Sequence, residues 1–268
     1  MICKVRKGTI HYEVCGEGVP LLILHSMGTD YRSMKMWMEP IFSSIQGFKR
    51  YYIDLPAHGL SKIDESLKST DDMLNNILEF IEKKVSNQFF HLVGFSFGGY
   101  LAQGILHYKR KQVRGLCLLA SALHLKEKAL PKKVVYEKDE VLLNTLNPDI
   151  REAFETLMII QNEENLKRFL SELQPGRLLA NREVLTSSWR EKEYFLSEVP
   201  FHDVESLPQS ALIILGKQDF ICGYKDHEFL INIFPNSTFV ILDRAGHMLQ
   251  IEKREVIQVL IKDWLIGL

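Results

Sequence analysis

The residue most able to do chemistry is Ser96. It stands in Gly94-Phe95-Ser96-Phe97-Gly98, a G-x-S-x-G sequence. A serine hydroxyl is a weak nucleophile at neutral pH. It needs a general base, and the base needs an acid to orient it. Two later residues have the right types, Asp219 in Gly216-Lys217-Gln218-Asp219 and His247 in Ala245-Gly246-His247-Met248. Taken singly, each has an ordinary explanation: a glycine-rich turn, a turn aspartate, a packed histidine. Taken together, the three predict nucleophilic attack on an acyl carbon. Asp243 and Asp226 are weaker rivals for the acid. Asp243 lies too close in sequence to His247 and suits shaping that loop.

The elements that must position these residues are legible as alternating patterns. Residues 9–15 alternate apolar and polar, as a half-buried strand does. Continuous apolar runs at 20–25, 50–55, 89–95 and 113–121 predict strands buried on both faces. Helical spacing at 69–85 and 98–109 falls between them, and Ser69 with Asp72 forms a capping pair for the first. Strands alternating with helices predict an α/β fold with a mostly parallel sheet. From 123 to 206 this alternation lapses. Apolar residues recur there at helical spacing, with a break at Pro175-Gly176. Strands return at 210–216 and 238–242, with helices at 225–234 and 252–265. The predicted domains are thus a core of 1–122 and 207–268, divided by a helical insertion at 123–206.

In that frame Ser96 falls on a strand-to-helix turn. Such a turn lifts the hydroxyl above the sheet and requires small residues two before and two after it, here Gly94 and Gly98. Asp219 follows one later strand and His247 follows the last. No acid follows the strand at 113–121, where Ser121 and Ala122 stand. An oxyanion needs two backbone N–H donors. Phe97, just after the serine, supplies one, and Met27 in the loop His25-Ser26-Met27-Gly28 is the predicted second.

With these motifs the chain resembles the α/β-hydrolase superfamily, especially small members with a lid between strands six and seven. The resemblance rests on residues 25–28, 54–61 (DLPAHGLS), 94–99, 216–219 and Gly246-His247. Three details depart from the common pattern: Ala57 replaces a glycine, His25 is followed by Ser26 rather than glycine, and Phe95 precedes the nucleophile. None is a reacting group. A serine nucleophile argues against the haloalkane dehalogenase and epoxide hydrolase branches, which use aspartate there.

The resemblance implies a carboxylic-ester hydrolase acting on a small molecule, with no cofactor and no metal. The same triad serves lactonases, thioesterases, carbon–carbon bond hydrolases and acyltransferases, and some members of the fold are receptors with little turnover. The lid is expected to line the pocket with Leu123, Met158, Trp189, Phe220 and Met248 beside Met27 and Phe97, which suggests a hydrophobic substrate group. Lys126, Lys128, Lys132, Lys133 and Lys138 read as a solvated face.

Bulk properties agree with an enzyme of this kind. The 268 residues are 46% hydrophobic and 25% charged, with 33 basic and 34 acidic side chains and a net charge of −1. No global field favours nucleic acid or an acidic membrane surface. No apolar run is long enough to span a bilayer and no leader pattern opens the chain. Four scattered cysteines fit a reducing compartment, so a cytoplasmic protein is expected. Nothing indicates an oligomeric state.

Overall fold

The computed structural model describes residues 1–268. Its main sheet has eight principal strands: β1 Ile2–Val5, β2 Gly8–Cys15, β3 Val19–Leu24, β4 Phe48–Ile53, β5 Phe90–Phe95, β6 Val113–Leu119, β7 Ser210–Gly216 and β8 Ser237–Leu242. They lie in the order β1-β2-β4-β3-β5-β6-β7-β8, and residues Lys62–Ile63 add a short pairing to β2. The β1–β2 and β2–β4 pairs are antiparallel and the rest are parallel.

The apolar runs are continuous because both sheet faces are covered. Alternate residues of the inner strands enter opposite cores. Leu22, Leu24, Leu92, Leu116, Leu118, Ile213 and Leu215 pack under helices α1 (Thr70–Lys84) and α2 (Phe97–Tyr108). Their neighbours Leu21, Ile23, Val93, Phe95, Cys117, Leu119, Leu212 and Ile214 pack on the other face, against Trp37 and Met38 and against Ile257, Ile261 and Trp264 of the helix Arg254–Ile266. A parallel strand with a helix on each side has no solvent face, so period-2 polarity disappears from its sequence. The predicted capping pair is formed: Ser69 Oγ accepts from the Asp72 N–H, and the Asp72 carboxylate accepts from the Ser69 N–H.

Two elements are absent from the sequence expectation. Strand β1 is short and half exposed, and the helix Arg32–Met38 is only two turns long. The helix expected at 225–234 is two short pieces, Lys225–His227 and Phe229–Ile233.

Between β6 and β7 the chain forms short helices, among them Glu140–Asn144, Pro148–Leu157, Glu163–Arg168, Arg182–Leu185 and Trp189–Lys192. Two-residue strands Glu137–Lys138 and Ile160–Gln161 pair there as well. Pro175-Gly176 does not break this segment. The chain passes from Glu163–Arg168 through a wide π-helical turn, Phe169–Leu173, into the helix Gln174–Leu179, with Pro175 in its first turn. The turn before it is widened to i→i−5, as the Gln174 N–H bond to the Phe169 carbonyl shows, and this wider turn accommodates a residue with no N–H to donate. Gly176 lets this helix press on the loop at Thr29-Asp30: an added Cβ would lie 2.4 Å from the Asp30 nitrogen. The Asn181 N–H donates to the Ala57 carbonyl at 2.9 Å, a second tie between segment and core.

Candidate active site

Strand β5 ends at Phe95, and the next residue turns sharply. Ser96 has φ 52° and ψ −116°, a conformation that costs a non-glycine residue about 1–3 kcal/mol. The Ser96 N–H donates to the Leu119 carbonyl and its own carbonyl accepts from Ala122, which anchors the turn to β6. The flanking glycines are sterically required. A Cβ on Gly94 would lie 2.6 Å from the Gly98 oxygen, and one on Gly98 would lie 2.4 Å from the His25 oxygen.

Asp219 and His247 reach the same point from the ends of β7 and β8. The His247 Nε2 is 2.9 Å from Ser96 Oγ, and its Nδ1 is 2.9 Å from Asp219 Oδ2. The other Asp219 oxygen accepts from the N–H groups of Ile221 and Cys222, both at 2.9 Å. With both its oxygens accepting, Asp219 fixes the tautomer: Nδ1–H donates to Asp219, leaving Nε2 to accept from the serine hydroxyl. All three side chains are buried. Burial disfavours the imidazolium, but the Asp219 carboxylate outweighs this and raises the His247 pKa. Burial also opposes the Asp219 charge, yet His247 and the two N–H donors hold its carboxyl below the ordinary value.

The rival acids face elsewhere. Asp243 is exposed and accepts from Gln218 Nε2, whose amide oxygen in turn accepts from the Ala245 N–H, so it shapes the loop before His247. Asp226 accepts from the Ala129 N–H.

The loop after β3 is held by His25. Its Nδ1–H donates to the Ser26 carbonyl at 2.7 Å, and its Nε2 accepts from the Leu55 N–H at 3.0 Å. Burial lowers its pKa to about 4, so it stays neutral and keeps both bonds. No protein group accepts from the Met27 N–H. Phe97 opens α2, where the first N–H groups lack helical acceptors. Met27 and Phe97 line the same cavity as Ser96.

One contributor left no signal in the sequence. Glu252 is half-buried, and its Oε2 accepts from the Gly246 N–H at 2.6 Å, directly before His247. Its Oε1 accepts from Ile159 at 2.7 Å and Ile160 at 3.4 Å, both in the segment between β6 and β7. Burial raises its pKa to about 7 against these donors. Cys222 is a second: fold contacts bring its thiol to within 4.8 Å of polar atoms of Asp219 and His247.

A cavity of about 420 Å³ opens over Ser96. Met27, Phe97 and Met248 line it as expected, and four other expected residues do not. Leu123 and Met158 are committed to the two cores, one on each face of the sheet. Trp189 packs edge-on against the Phe97 ring and is not a cavity wall. Phe220 lies under the Lys133 ammonium at 5.1 Å. Apolar residues in a small helical segment are consumed by packing first, and sequence spacing does not separate those from pocket walls. The cavity instead takes Leu157, Leu173, Leu185, Tyr194 and Ile221, together with Lys128, Arg177, Arg182 and Arg190. Lys128 is thus a cavity residue, not part of a solvated face.

The family described as alpha/beta hydrolase fold matches residues 19–254. The chain belongs to that family and is a hydrolase. It is 25% identical over 268 residues to a pimeloyl-[acyl-carrier protein] methyl ester esterase of Shewanella woodyi, covering 96% of this chain and 98% of that one. It is 23% identical over 265 residues to a 2-hydroxy-6-oxononadienedioate/2-hydroxy-6-oxononatrienedioate hydrolase of Pseudomonas putida, covering 96% and 91%. Among solved structures, an alpha/beta superfamily hydrolase from Oenococcus oeni superposes with a TM-score of 0.86 at 25% identity, covering 99% and 98%. No helix is long and apolar enough to cross a membrane.

Proposed function

We propose that this chain is a serine carboxylic-ester hydrolase working through an acyl-enzyme on Ser96. The relay from Ser96 through His247 to Asp219, with contacts of 2.9 Å on each side of the imidazole, carries the reading. His247 takes the serine proton at Nε2 as Oγ attacks the ester carbonyl. Asp219 stabilises the imidazolium that forms, and the N–H groups of Met27 and Phe97 receive the oxyanion. His247 then protonates the departing alcohol. Water, deprotonated by the same nitrogen, releases the acid and restores Ser96. The segment 123–206 acts as the lid of this site.

The likeness to the Shewanella woodyi methyl ester esterase supports ester hydrolysis. A second reading, carbon–carbon bond hydrolysis with the same residues, has support from the likeness to the Pseudomonas putida hydrolase. The test is turnover of p-nitrophenyl butyrate together with fluorophosphonate labelling, in the wild type and in Ser96→Ala. The proposal expects turnover and labelling that both vanish in the variant. No turnover and no labelling in the wild type refutes it, and labelling that survives in Ser96→Ala refutes the nucleophile.

A further inference from the structure

Four cationic side chains line the cavity over Ser96, and no acidic side chain does. Lys128 lies just beyond β6, while Arg177, Arg182 and Arg190 come from three successive short helices of the lid segment. None forms an ion pair. The Lys128 ammonium donates to the Ile221 carbonyl at 3.2 Å, and the Arg177 guanidinium donates to the amide oxygen of Gln174 at 3.1 Å. Arg182 and Arg190 have no side-chain acceptor in the protein. Elsewhere in the chain partly buried arginines are matched, as Arg50 is by Glu39 and Arg254 by Glu172. Arg177 is also partly buried, and burial followed by the neighbouring Arg182 charge lowers its pKa. The protein therefore holds like charges together at a cost, offset only in part by Asp149 and Glu152, which form no ion pair with Arg177.

Resting on the serine-hydrolase reading, we propose that this cavity selects esters whose acyl arm carries a second, carboxylate-type anion. The ester carbonyl sits at Ser96 and the anion sits among Arg177, Arg182, Arg190 and Lys128. Guanidinium forks match the planar two-oxygen geometry of a carboxylate. The neutral walls, Leu157, Leu173, Leu185 and Tyr194, suit the methylene chain between the two ends. The apolar substrate group expected from the lid sequence thus becomes a spacer, not the recognised end.

A matched pair of substrates tests this. Monomethyl adipate and methyl hexanoate share one methyl ester and one four-methylene chain, and differ in a terminal carboxylate against a methyl. Methanol release from the wild type should give a kcat/KM ratio of at least tenfold in favour of the charged ester. The ratio should collapse towards one in Arg177→Gln with Arg190→Gln, mainly through KM, and partly recover in Arg177→Lys with Arg190→Lys. It should also fall as salt is raised from 20 to 500 mM, because partly exposed charges are screened. A wild-type ratio of one or less overturns the proposal, as does a ratio that survives in the glutamine variant. Adipate binding measured by calorimetry separates this from the chemistry. Binding that weakens at least tenfold in the glutamine variant supports the anion site even if neither ester turns over. Absence of adipate binding to the wild type overturns it, even if the neutral ester is cleaved through Ser96.

Discussion

Glu252→Gln isolates the tie between the histidine loop and the segment that covers the site. In the wild type one carboxylate oxygen serves Gly246 and the other serves Ile159 and Ile160. Glutamine keeps one acceptor oxygen and puts an NH2 where the other was. One set of N–H donors then faces a donor. A lost hydrogen bond to a charged acceptor is worth about 1.5–3 kcal/mol. If that energy is expressed as displacement of His247, kcat/KM at pH 8 falls about ten- to a hundredfold. Stability moves differently. The Glu252 pKa is raised from 4.5 to about 7 in the folded chain, so its charged form is disfavoured there. A difference of about 2.5 units corresponds to about 3 kcal/mol. This contribution is fully present below pH 4.5 and is lost as pH rises through about 7. Relative to the wild type, the Gln variant should therefore gain up to about 3 kcal/mol across that window. Urea unfolding at pH 4.5, 6, 7 and 8, with ester turnover at pH 8, measures both. The reasoning is refuted if turnover at pH 8 stays within twofold of wild type while the two stability curves run parallel in pH.

Four further outcomes follow from the site geometry. Asp219→Asn presents an NH2 to His247 Nδ1 and favours the wrong tautomer, so kcat should fall about 10⁴-fold with little change in KM; the wild-type kcat/KM should rise with pH through an inflection above 6.5, the histidine reference value, because Asp219 raises the His247 pKa. Gly94→Ala drives a methyl to 2.6 Å from the Gly98 oxygen and Gly99 Cα, and should cost about 1–3 kcal/mol, read as a fall in Tm by calorimetry. Met27→Ala keeps the backbone N–H, so kcat should stay within about fivefold of wild type; a hundredfold loss would show that the side chain, not the main-chain donor, does the work at this position.

The meeting of Ser96, Asp219 and His247 at one point was legible because it is written in local steric and topological rules. A turn as tight as that at Ser96 admits only glycine at 94 and 98, so its identity survives in five consecutive residues. The strands before Ser96 and Asp219 bury both faces, and their apolar runs announce the sheet without knowledge of its strand order, while β8, before His247, is a half-exposed edge strand. Asp219 and His247 are recognisable by their places at strand ends, since the loops there must meet above the sheet.

The cavity obeys no such local rule. Met158 and Leu173 share the same helical segment and the same apolar character, yet Met158 is core while Leu173 is both core and cavity wall. Lys128 and Lys133 look alike in sequence, but one lines the cavity and the other covers Phe220. Glu252 reads as one more charge at the start of an amphipathic helix, and becomes a half-buried acceptor only when Ile159 arrives from the middle of the segment 123–206. The sequence by itself determined the fold class and which three residues, the proposed nucleophile, base and acid, would meet above the sheet. Packing of the inserted helices decided which charges face that nucleophile, because burial and unpaired charge depend on contacts between segments that no local pattern encodes.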